Sequence, residues 1–205
     1  MDNKAYLDQI ASKGQQQKSF SSIFSPALIK LLLGAVILIV LIVVLTVVIN
    51  ASNKGRYDNY SELYLRLSQL IAEDGPIDTN QENLRSSKLR SNTANFMTIE
   101  NSFLQKYGSM AAQVGFSTTP NSKITSTVNS DINSYTSSLT DAYMNGHLDH
   151  TFASETNYQV AILIQLETAI YEDTDNTTLK DLLNANLDNL KSYQAIYKEY
   201  INNNE

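Results

Sequence analysis

Residues 178–201, TLKDLLNANLDNLKSYQAIYKEYI, carry the pattern that decides the fold. Leu179, Leu183, Leu190, Tyr193, Tyr197 and Tyr200 recur at steps of three, four and seven residues, and Leu182 and Leu187 widen the stripe. At 3.6 residues per turn these side chains share one helical face, while Asn184, Asp188 and Lys191 are expected to face water. The spacing is that of a bundle or coiled-coil seam. Nowhere does a period-two alternation bounded by hairpin turns occur, and only 7 Gly and 3 Pro punctuate 205 residues. The fold class is therefore all-α.

Upstream, the same period recurs. The run VAILIQLETAI at 160–170, with Tyr158 before it, is expected to lie deepest in the core as part of a fourth helix, and Glu172 to Asp175 form an acidic turn after it. A third helix from Asn121 or Ser122 shows Ile124, Val128, Ile132, Tyr135, Leu139 and Ala142. Its other faces are Ser, Thr and Asn, poor helix formers that depend on burial. It ends either within 137–141 or at Gly146. A second helix is expected from Thr79, where Thr79 and Glu82 match a capping box. It runs through Phe96, Ile99, Phe103, Tyr107 and Met110 to Gly115, with the stretch holding Arg85, Lys88 and Arg90 projecting into water. A first helix over about 53–73 carries Tyr57, Tyr60, Tyr64, Leu67 and Ile71, and Asp74-Gly75-Pro76 stops it.

Further upstream the composition changes. Residues 31–49, LLLGAVILIVLIVVLTVVI, contain no charge. Nineteen residues at about 1.5 Å each span about 28 Å, close to a bilayer's hydrocarbon thickness of roughly 30 Å. With Lys30 snorkelling to the interface, 27–49 reads as a transmembrane signal-anchor helix. The tail 1–26 is Gln/Ser/Lys-rich and expected to be disordered. Downstream of residue 49 stand 11 basic and 19 acidic residues, whereas residues 1–30 carry Lys4, Lys13, Lys18 and Lys30 against Asp2 and Asp8. That asymmetry places the N-terminus in the cytoplasm and the remainder outside, in a bacterial cell membrane. The expected organisation is a tail at 1–26, a membrane helix at 27–49, a membrane-proximal helix and turn at 50–78, and an extracytoplasmic antiparallel bundle of four to five helices at 79–205. Asn50, Asn59 and Asn176 head glycosylation sequons, relevant in a eukaryotic source.

The residue inventory excludes several chemistries. Without Cys there are no disulfides, thiol nucleophiles or Cys zinc sites. A net charge of -6 argues against nucleic acid as partner. No nucleophile elbow, P-loop or dinucleotide fingerprint occurs, so an enzyme is not expected, and no cofactor is called for. One constellation could hold a metal: His147 and His150, three apart on a helix, with Asp141 and Glu155 nearby. A di-iron centre would need Glu-x-x-His, yet Glu62, Glu100, Glu155 and Glu167 are followed at the third position by Leu65, Phe103, Tyr158 and Ile170.

Asp141 to Met144, Val160 to Leu163, Thr178 to Lys180 and Leu187 to Lys191 resemble the C-terminal helical hairpin of ferritin-like domains in bacterial envelope proteins. About 60 of the 205 residues take part. The resemblance implies a four-helix bundle and an envelope address. That family's histidines are matched only by His150, in approximate register, and Tyr193 stands where the second is expected. The expected role is non-enzymatic: envelope structure or protein interaction, with the lipid bilayer and a membrane or envelope protein as partners. A homo-oligomer stays open, although no G-x-x-x-G marks the membrane helix for pairing. Two other roles remain: an extracytoplasmic sensory or ligand-binding bundle that needs a signalling partner, and a metal-binding domain using His147 and His150.

Overall fold

Two short turns set the direction of the last three helices. The computed structural model describes residues 57–203; the expected tail, the membrane helix 27–49 and the residues before Tyr57 lie outside them. Among the described residues seven helices occur in order: α1 Asp58–Leu70, α2 Pro76–Gln81, α3 Ser87–Ser109, α4 Ala111–Val114, α5 Ser122–Met144, α6 Leu148–Asp173 and α7 Thr177–Asn202. Among the described residues there is no strand. No helix among them is long and apolar enough to cross a membrane.

Local chemistry explains the boundaries. The Asn121 and Asn176 side chains accept from Ile124 N (3.0 Å) and Leu179 N (2.9 Å), capping α5 and α7. Gly146, at φ 79°, ends α5 in a left-handed turn that sends His147 N back to Ala142 O at 3.1 Å. The break therefore falls at Gly146 and not within 137–141. Gly115, at φ 92°, closes α4 in the same way.

The expected helix from Thr79 to Gly115 is divided. Pro76, whose fixed φ suits a first helical position, starts α2 three residues early, so Thr79 lies inside a helix and the Thr79–Glu82 capping box does not form. Ser86 caps α3 instead, its Oγ accepting from Leu89 N at 3.2 Å. Leu84 and Leu89, each 1% exposed, pin into the core a stretch expected to project into water, while Arg85, Lys88 and Arg90 keep its outer face. The first helix is also shorter than 53–73 within the described residues, ending at Leu70 with Ile71 as its cap.

The short turns after α5 and α6 make α5, α6 and α7 successive antiparallel neighbours, and α6 against α7 is the most extensive interface. Helix α1 packs against α5, α6 and α3, and α3 returns to α7. The helix assigned to a membrane-proximal segment thus shares one core with the helices beyond residue 79, through Tyr60, Leu63, Leu67 and Leu70. Val160, Leu163 and Ile170 of the expected deep run are fully buried, as are Leu179, Leu183, Leu190 and Tyr197 of α7. Each such side chain contributes about 1.5–3 kcal/mol relative to exposure.

Polar side chains interrupt this core in layers. Arg66, 2% exposed, sits on the Leu63–Leu67–Leu70 face of α1. Its Nη1 donates to Gln159 Oε1 (3.2 Å) and its Nη2 to Glu62 Oε1 (3.1 Å) and Asp131 Oδ2 (2.9 Å), tying α1 to α5 and α6. Hydroxyl pairs tie other helices: Tyr135 with Thr156 at 2.8 Å, and Thr93 with Tyr197 at 3.5 Å. Arg66→Ala leaves a cavity and orphans the buried Gln159 acceptor, so unfolding free energy should fall by about 2–4 kcal/mol in chemical denaturation followed by circular dichroism. Asp131→Asn, at a partly exposed carboxylate that water can serve, should cost less than about 1 kcal/mol.

Candidate functional site

Two places combine polar side chains from separate helices. The first is a cleft of about 240 Å³ at one end of the bundle, lined by Asn83, Arg85, Tyr143, His147, His150 and Tyr200 among others. His147 is the residue before α6 and its side chain makes no capping bond; His150 is in the first turn. Both imidazoles are exposed, and both line this one cleft.

Asp149, which also lines the cleft, and the expected neighbours Asp141 and Glu155 are each engaged by other groups. Asp149 accepts from Arg85 N at 2.9 Å, Ser86 N at 2.7 Å and the Tyr200 hydroxyl at 3.3 Å. It fastens the start of α6 to the start of α3 and the end of α7, and its negative charge sits against the donor end of α3. Burial pushes the Tyr200 hydroxyl above its ordinary range, and the Asp149 charge adds to this. Asp141 accepts from Asn145 Nδ2 at 3.1 Å, and Glu155 from Ser138 Oγ at 3.0 Å. Among the described residues no three His, Asp or Glu side chains gather in a way that could hold a metal ion. Any metal on His147 and His150 would complete its coordination with water or another molecule. The cleft's chemistry is that of a small polar pocket: one guanidinium, two imidazoles, the Asp149 carboxylate and aromatic walls.

The second place is inside. Glu100 of α3 and Glu167 of α6 are both 0% exposed, and Asn186 of α7 is 3% exposed. The single amide nitrogen of Asn186 donates to Glu100 Oε2 at 3.1 Å and to Glu167 Oε1 at 2.9 Å. The other oxygens, Glu100 Oε1 and Glu167 Oε2, are buried without a protein partner. Burial pushes the Glu100 carboxyl up to about 7, against the opposing effect of the Asn186 hydrogen bond. Burial also raises Glu167 well above the carboxylate range; Asn186 opposes this and the Glu100 charge adds to it. A surface cavity of about 170 Å³ between α3 and α7 reaches Asn186, with Lys106 at its lining.

In sequence, Glu100 and Glu167 draw notice only for lacking a following histidine, and that they meet was missed. A signal is nevertheless present. Phe96, Glu100, Phe103 and Tyr107 keep the core spacing, Glu167 interrupts the apolar run at 160–170, and Asn186 falls between Leu183 and Leu190. Comparison with known proteins finds no matching family model, no matching curated protein and no matching solved structure.

The structural and binding roles at the end cleft separate by mutation. Asp149→Ala removes an acceptor from two backbone donors and should lower stability by about 1–2 kcal/mol, read as a drop in thermal midpoint. His147→Ala with His150→Ala should change it by less than about 0.5 kcal/mol, because both side chains face water.

Proposed function

We propose that the chain is a single-pass membrane protein that displays a helical bundle outside the cell for protein interaction or envelope structure, without catalysis of its own. The observation that carries this reading is the uncharged run at 31–49, which ends eight residues before the first described residue, Tyr57. A run of that length matches the bilayer's hydrocarbon thickness, and Lys4, Lys13, Lys18 and Lys30 before it suit the cytoplasmic side. Beyond the run stands an amphipathic bundle with its apolar faces turned inward and Tyr143, Met144 and Tyr158 outward, at 57%, 78% and 58% exposure. Large side chains of this kind on a polar surface suit contact with a partner.

The end cleft favours a second reading, an extracytoplasmic ligand-binding bundle that signals through a partner. Its guanidinium and imidazoles would recognise a small anionic or polar molecule. Metal binding by His147 and His150 belongs to the same cleft. Zinc titration of the wild type and the double alanine variant tests it: loss of affinity in the variant supports a histidine site, and equal affinity removes it.

Membrane extraction tests the main reading. After alkaline carbonate washing, the full chain should stay in the membrane pellet, and a C-terminal epitope should be cut by protease added to intact cells. Release into the aqueous fraction, or an epitope cut only after lysis, would contradict the anchor or its orientation respectively. In-cell crosslinking with mass spectrometry should return a membrane or envelope protein joined through the bundle.

A further inference from the structure

Glu100 and Glu167 approach one another from α3 and α6 and end on the same nitrogen of Asn186. One neutral amide cannot compensate two anions in an apolar interior, where each uncompensated charge costs several kcal/mol. Among the described residues no cation pairs with either carboxyl. Tyr193 of α7 lies close enough to Glu100, and Tyr107 of α3 to Glu167, for those charges to raise their hydroxyls further, after burial. Tyr107 donates its own hydroxyl to Tyr60 O of α1 at 3.2 Å. Arg66 of α1 is engaged with Gln159, eight residues before Glu167, which is about 12 Å along α6 at 1.5 Å per residue. Lys106 is exposed at the surface cavity.

We propose that the folded bundle holds one proton shared between Glu100 and Glu167, and that losing it as the surroundings turn alkaline loosens the junction of α3, α6 and α7. The proton has a place to sit, on Glu100 Oε1 or Glu167 Oε2, the two oxygens without another partner. It also has a path: the surface cavity reaches Asn186, the residue both carboxyls touch. The junction is thereby a proton-responsive element, firmer on the acid side of neutrality, and this holds whether or not the membrane reading does.

Linkage fixes the direction. Glu100 holds its proton up to about 7 in the folded chain, against 4.5 as its ordinary value. The folded state therefore binds a proton that the unfolded chain has released. The advantage is complete below the ordinary value and disappears as pH rises through about 7.

Thermal unfolding of the full chain in detergent micelles, wild type beside Glu100→Gln with Glu167→Gln, tests this between about pH 5 and about pH 8. The wild-type midpoint should fall by about 5–10 °C relative to the variant over that interval. The exposed His147 and His150 are common to both chains and cancel. Infrared spectroscopy of the wild type near neutral pH should show a carboxylic-acid band that the double variant lacks. If that variant does not fold, Glu100→Gln alone should still flatten the pH dependence, and the wild-type band is read by itself. A difference in midpoint that is constant with pH, or no protonated carboxyl near neutrality, overturns the proposal. So does a pH dependence that appears only when calcium, zinc or iron is added and vanishes with chelator, since a metal ion would then be the pair's partner.

Discussion

Outside residues 27–49 the chain is short of apolar side chains, so its helices cannot close their interfaces with hydrocarbon alone. Polar groups enter the core, and each must find a partner there, because an unpartnered one costs as much as several good contacts contribute. That constraint shapes the bundle. Arg66 meets Gln159, Glu62 and Asp131; Tyr135 meets Thr156; Glu100 and Glu167 meet Asn186. Because these bonds are directional, sliding one helix past another by a turn would break them while leaving an apolar contact nearly unchanged. They set the register that leucine spacing alone leaves loose.

The helices themselves were legible from side-chain period. Leu179, Leu183 and Leu190 define α7, and Ile124 to Ala142 define α5, since only burial of those stripes holds segments so rich in Asn, Ser and Thr. The errors came from competition between local signals. Thr79 and Glu82 have the spacing of a cap, but Pro76 nucleates a turn first and Ser86 offers a hydroxyl where the longer helix starts. The stretch with Arg85, Lys88 and Arg90 reads as projecting into water, yet buried Leu84 and Leu89 outweigh three cations whose heads can stay in water.

Of the candidate site, the neighbourhood was legible and the roles were not. His147 and His150 do share a cleft, although His147 stands before α6 and only His150 lies in its first turn. Asp149 between them does not join them, because the backbone donors of Arg85 and Ser86 take its carboxylate across 64 and 63 residues of sequence. Pairings of that range have no local signature. The buried carboxyls left a fainter mark, polar residues at apolar positions of three separate stripes, and only tertiary packing shows that the three positions coincide.

The proposed membrane anchor accounts for the apolar run at 31–49, and partnered polar layers account for the lean, periodic chain beyond it. The buried pair is where the constraint is most exposed, since protein atoms leave two of its oxygens unserved and a proton is the partner that chemistry supplies. A carbon-13 NMR titration of glutamate side chains, assigned through Glu100→Gln and Glu167→Gln, tests this most directly. One of the two carboxyls should remain protonated to about neutral pH, well above its ordinary value of 4.5. Both carboxyls ionising together in the ordinary range would contradict the account.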